Sequence, residues 1–164
     1  MVKRRRSYET GHRPKFLAVV DDSPECAKAV RFAARRCARL GASIVLLGVV
    51  TPPADETWLG VGEVMQAEAE AKAEALIESA ADSVRSLAGL EPEKVVRTGS
   101  KADEMVKLIE ADEDISLLVL AAGTGGSGPG PLVGALAGKS AGTFPIPVAI
   151  VPGHLADEEI DALA

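Results

Sequence analysis

Between residues 16 and 151 the chain alternates short, continuously apolar runs with longer segments of helical periodicity. The runs are Phe16–Val20, Ser43–Val50, Ile115–Ala122 and Pro147–Val151. Uninterrupted apolar runs of this length read as strands covered on both faces, the kind found in parallel sheets. Glu93–Thr98 alternates more with polar residues and suits an edge strand. Helical patterns separate the strands. The first carries an apolar stripe of Cys26, Val30, Ala33, Cys37 and Leu40, with Ser23 expected as N-cap, Pro24 in the first helical position and Gly41 as the stop. Its other face, Lys28, Arg31, Arg35 and Arg39, is expected to be solvated. After a loop over 54–62 that holds Trp58, a long Ala/Glu-rich helix runs from about residue 63 to 87. A third helix covers 101–112, and a short one is expected near 133–143.

A helix between every pair of strands requires parallel neighbours joined by right-handed crossovers, hence a Rossmann-like, doubly wound α/β fold in a single domain. In such sheets ligands sit beyond the carboxyl ends of the strands, where the strand order reverses. The segments leaving those ends are Asp21-Asp22-Ser23, Val50-Thr51-Pro52, Thr98-Gly99-Ser100 and a glycine loop, residues 123–131.

Composition narrows the class without naming a function. With 164 residues, 47% hydrophobic and only 2 cysteines, the chain is large enough to fold on its own core without disulfides. Cys26 and Cys37 lie about 16 Å apart along one helix, too far to bridge, and are expected to pack as small hydrophobes. No apolar run approaches the roughly 20 residues that span a bilayer. The N-terminus opens on Lys3-Arg4-Arg5-Arg6 in place of a signal-peptide core, so no membrane partner and a cytoplasmic location are expected.

The net charge of −6 is unevenly spread. Residues 1–15 carry six cations against Glu9, and residues 153–164 carry four carboxylates and no Lys or Arg, which leaves −7 on the body. The expected organisation is therefore a basic arm over 1–14, the α/β domain over 15–152 and an acidic tail over 153–164. Two readings of the arm stand: a nucleic-acid contact, or a solvated tail resting on acidic surface of this chain or of a partner. The body lacks the basic patch with interleaved aromatics that nucleic acid requires, so nucleic acid is not an expected partner.

The glycine loop is the sharpest chemical signal, with Gly at 123, 125, 126, 128 and 130. Dense glycine between a buried strand and a helix lets backbone N–H groups converge on an anion. The alternative is an exposed flexible loop stiffened by Pro129 and Pro131. Gly123-x-Gly125-x-x-Gly128 fits the dinucleotide fingerprint formally, but no Asp or Glu follows at the required distance. Gly138-Lys139-Ser140 is no P-loop, because Val133 stands where that motif needs its first glycine. Gly134, Gly138 and Gly142 recur every four residues, which predicts a bare helix face in close contact, most simply with the sheet. Asp21 at the end of the first strand is a candidate for a ribose hydroxyl or a magnesium ion, or is a solvated turn acid. His12 and His154 both fall outside the strands and helices, and no Ser/His/Asp, CxxC or HExxH arrangement is present.

At residues 15–152 the chain resembles the universal stress protein family. Val19-Val20-Asp21-Asp22-Ser23 is similar to the family's first-strand ending, Ile44–Val50 to its second strand, Ala122–Gly126 to the opening of its nucleotide loop, and Pro145–Val151 to its proline-flanked last strand. The resemblance implies a five-stranded sheet ordered 3-2-1-4-5, a homodimer joined through the last strand at Val148 and Ile150, and a stress-response role. It further implies ATP or AMP as a regulatory ligand, with magnesium and with little or no hydrolysis, so that the chain is not expected to be an enzyme. Carried over by position, Asp21 would contact ribose or metal, Val49 the adenine, and Gly123, Gly126, Gly134 and Ala135 the phosphates. The sequence departs from the family's Gly-x2-Gly-x9-Gly-Ser/Thr pattern. Only seven residues separate Gly126 from Gly134, and Ala135 replaces the hydroxyl residue; Asp22 also stands in place of glycine. The alternative functions are a nucleotide-independent dimeric module that recruits partners through its charged tails, and an α/β enzyme acting on nucleotides.

Overall fold

The computed structural model describes residues 4–52 and 61–164. Its elements alternate as expected: β1 (Lys15–Val20), α1 (Cys26–Leu40), β2 (Ser43–Val50), α2 (Val61–Ala88), β3 (Glu93–Thr98), α3 (Lys101–Ala111), β4 (Ile115–Ala122), α4 (Pro131–Ala137), a 3-10 turn (Ala141–Thr143), β5 (Val148–Pro152) and α5 (Asp157–Leu163). Residues 61–62 begin α2, and the rest of the loop expected over 54–62, Trp58 included, lies outside the described residues.

The five strands form one parallel sheet in the order β3-β2-β1-β4-β5. Successive strand residues face opposite sides, so each buried strand supplies two cores. Phe16, Ala18, Val20, Ile44 and Leu46 pack with α1 and α2 on one face. Leu17, Val19, Val45, Leu47 and Leu118 pack with α3 and α4 on the other. The chain steps from β1 outward to β2 and β3, then crosses to β4 on the opposite side. That reversal places the switch point between the carboxyl ends of β1 and β4.

The local signals were partly redirected by packing. Gly41 ends α1 in the left-handed conformation (φ 69°), its N–H donating to the Cys37 carbonyl. Ser23 does not cap α1, because its hydroxyl donates instead to Asp21, and the helix begins only at Cys26. Leu40, expected inward, is exposed, while Ala29 and Ala34 are buried. Both cysteines are free and buried, and desolvation pushes the Cys37 thiol up to about 12. The short helix starts at Pro131 and stops at Ala137. A Cβ on Gly134 or on Gly142 would meet open space, so the expected close contact of that glycine face with the sheet is not formed.

Both terminal segments are docked. Arg5 donates to the carbonyls of Ile109 (2.7 Å) and Asp112 (3.0 Å), and His12 Nδ1 lies 2.7 Å from Asp114. Lys15 reaches Asp112 at 2.7 Å and Glu93 at 3.2 Å. The described part of the basic arm, from residue 4 on, thus rests on its own chain beside Glu113 and Asp114, at the end of the sheet opposite the switch point. At the other terminus α5 lies on α1. Arg31 grips Asp161 through two bonds of 2.7 Å, Arg35 reaches the same carboxylate, and Lys28 and Arg39 donate to the carbonyls of Leu155 and Ala164. The basic face of α1 is therefore engaged by the C-terminal segment and not wholly solvated as expected, and Ile160 is fully buried beneath α5.

These pairs make α5 acid-sensitive. Arg31 holds the Asp161 carboxyl below the usual aspartate range. A depressed native pKa gives stabilisation that is complete above the ordinary value, near pH 4, and is lost as pH falls through the lowered one. Amide exchange of residues 157–163 is expected to speed up below about pH 4 before that of β1 does. Equal protection of both segments throughout an acid titration would contradict this.

Candidate functional site

The site is built where β1 runs out. A strand cannot continue through Asp21-Asp22-Ser23-Pro24, and the chain closes an Asx-turn: Asp21 Oδ1 accepts from the Ser23 N–H at 3.0 Å and from its hydroxyl at 2.6 Å. Asp21 Oδ2 accepts from Lys101 Nζ at 3.1 Å. Lys101 is the first residue of α3, whose N-cap Ser100 accepts from the Asp103 N–H at 3.1 Å. The Gly99 N–H donates to the Val50 carbonyl (2.9 Å), which ties the end of β3 to the end of β2 and aims Lys101 back over β1. Burial works against the charge on Asp21. The Ser23 hydroxyl and amide and the Lys101 ammonium outweigh it and hold the carboxyl below its ordinary range. Asp22 pairs with Lys72 of α2 at 2.7 Å, both side chains largely exposed.

Two hollows meet at the Asp21–Lys101 pair. One, of about 200 Å³, lies between the starts of α1 and α4 and is lined by Val19, Ser23, Glu25, Cys26 and Pro129–Val133. The other, of about 210 Å³, is lined by Val49, Val50, Thr51 and, from α2, Lys72 and Ala73. Asp21, Asp22 and Lys101 line both. Together they reach the lower part of the roughly 300–1,000 Å³ range of small-molecule sites.

Of the residues expected here, Asp21 and Val49 line the cleft. The residues expected to hold phosphates, Gly123, Gly126, Gly134 and Ala135, line neither hollow. The Gly123 N–H donates to the Pro129 carbonyl (3.0 Å), the Gly128 N–H to Gly125 (3.1 Å) and the Gly134 N–H to Gly130 (2.9 Å). The loop closes on itself, and Gly134 makes the first hydrogen bond of α4. Neither amide is directed at an anion, while Gly126 and Ala135 are exposed and line neither hollow. Asp21 accepts three hydrogen bonds, two on Oδ1 and one on Oδ2, which leaves acceptor capacity on the carboxylate. Among the described residues no group of three His, Cys, Asp or Glu could hold a metal.

Sequence reasoning missed Lys101, Lys72 and the placement of Glu25. Ser100 before Lys101 is legible as a helix cap, but only the β3-β2-β1 order brings that helix start beside Asp21. Glu25 is the N-cap residue of α1, and its carboxylate lies against the glycine loop: a Cβ on Gly123 would be 3.0 Å from Glu25 Oε1.

A five-stranded, all-parallel sheet with a polar cleft at its switch point defines a doubly wound α/β protein of the nucleotide-binding architecture. The model of the universal stress protein family matches residues 12–152, and the chain belongs to that family. Universal stress protein UspA from Lactobacillus plantarum has a similar fold (TM-score 0.71, 20% identity, 84% of this chain and 97% of that one). So has the universal stress protein from Archaeoglobus fulgidus in complex with dAMP (TM-score 0.55, 17% identity, 92% and 99%). A family protein from Arabidopsis thaliana with AMP bound is similar as well (TM-score 0.56, 16% identity, 88% and 94%). No curated protein matches the sequence significantly. No helix among the described residues is long and apolar enough to cross a membrane.

Proposed function

We propose that this chain is a cytoplasmic stress-response protein that binds an adenine nucleotide in the cleft as a regulatory ligand and turns it over slowly or not at all. The observation that carries the reading is the half-buried Asp21, ionised and fixed between Ser23 and Lys101 at the switch point. Such a carboxylate is a ready acceptor for ribose hydroxyls, with Val49 as apolar wall for the base. The fold relatives with dAMP and AMP bound support the choice of ligand class. The residues lining the cleft include Asp, Glu, Lys and Ser but neither histidine, which supports a binding role over catalysis. We further propose a homodimer through β5, the edge strand on which Val148 and Ile150 are both partly exposed.

Calorimetric titration with AMP and with Mg-ATP tests the nucleotide reading. Binding is expected with at least one of them, and Asp21→Ala is expected to weaken it by about tenfold or more, the loss of one charge-assisted hydrogen-bonded contact. Heat-free titrations together with a melting temperature unmoved by millimolar ligand would sink the proposal.

A further inference from the structure

We propose that Glu25 makes the cleft select by phosphate count, admitting a nucleoside monophosphate and rejecting the triphosphate. The inference rests on the nucleotide reading above and deepens it. With the base against Val49 and the ribose at Asp21, the phosphates must run into the hollow between α1 and α4. The cation that lines this hollow is Lys101, already shared with Asp21. One phosphate beside the Asp21–Lys101 pair therefore meets a positive charge. The next two would be driven towards the glycine loop, where the Glu25 carboxylate lies against Gly123.

Glu25 has no ion-pair partner among the described residues, whereas Asp21 pairs with Lys101 and Asp22 with Lys72. No cationic side chain among the described residues thus pairs with it at the place where the additional phosphates would sit. The loop offers little in return. The amides of Gly123, Gly128 and Gly134 are engaged with carbonyls, and Ala135 brings no hydroxyl. Like charges brought into a partly desolvated cleft repel far more than in bulk water, so each phosphate after the first adds cost without a second cation in the lining to meet it.

The test is calorimetry with adenosine, AMP and ATP, in EDTA so that no divalent cation masks phosphate charge, on the wild-type chain and on Glu25→Gln. The wild type is expected to bind AMP at least tenfold more tightly than ATP. Glu25→Gln is expected to narrow that gap about tenfold while leaving adenosine affinity unchanged, which also shows that the variant is folded. Wild-type affinity for ATP equal to or above that for AMP would overturn the selectivity, a comparison that needs no variant. A gap unchanged in Glu25→Gln, or an equal gain for adenosine, would overturn the assignment to Glu25. If none of the three ligands binds either protein, the nucleotide reading itself fails and this inference with it.

Discussion

Gly153→Ala is expected to be among the most damaging single-methyl additions this fold can receive, lowering the melting temperature by about 5–10 °C. Gly153 follows β5, and Pro152 pairs with Ala122 at the end of β4. A Cβ on Gly153 would overlap the Ala122 carbonyl oxygen and lie 3.4 Å from Thr124 Cγ2. A side chain in that position could swing away, but a carbonyl held in a parallel ladder cannot. The ends of β4 and β5 must separate instead, at a cost of about 2–3 kcal/mol typical of overpacking. Ala122 leads directly into the glycine loop, so the same variant is expected to weaken ligand binding as well. Thermal denaturation checks the first effect and calorimetry the second. A melting temperature within a degree of wild type would show that the approach of Gly153 to Ala122 is not a constraint.

Ile160→Asp is expected to release the C-terminal helix while the sheet stays folded. Ile160 is fully buried and belongs to the core beneath α1 and β5. A helix of seven residues is too short to persist in water without packing. Its ion pairs to Arg31 and Arg35 are partly exposed and would not by themselves hold it. Losing the apolar side chain costs about 3 kcal/mol or more before the burden of burying a carboxylate is added. Amide protection of residues 157–163 should fall at least 100-fold, about 1.4 kcal/mol per decade, with protection of β1 and β2 much less changed. Cooperative unfolding of the whole chain would refute the local picture and make α5 an integral part of the domain. A helix that stays protected would refute the packing argument.

The strands were legible because each is an unbroken apolar run, and a strand covered on both faces has no other composition open to it. β3 and β4 have the bounds that the pattern predicts, and the edge character of β3 follows from its polar alternation. That Asp21 and Val49 would line a cleft was legible because both stand at the ends of parallel strands, where such a fold leaves a crevice. The glycine loop was legible as a loop, but the direction of its amides was not. Glycine permits backbone amides to converge, but whether they turn to a ligand or to the carbonyls of Pro129 and Gly125 depends on the closed conformation, which no residue type specifies.

The charged termini show the same division. Their composition is compatible with solvated tails, and only the placement of α1 and of the turn before β4 decides that Asp161 meets Arg31 and that Lys15 meets Asp112. By itself the sequence determined the alternation of elements, the parallel sheet and the strand ends that must border a cleft, because burial pattern and crossover handedness are local or nearly local constraints. The tertiary structure alone decided which charges meet there. Lys101 is 80 residues from Asp21, and Glu25 reaches a loop about a hundred positions further along the chain. Coulombic contacts between such positions exist only after the sheet has fixed their distance.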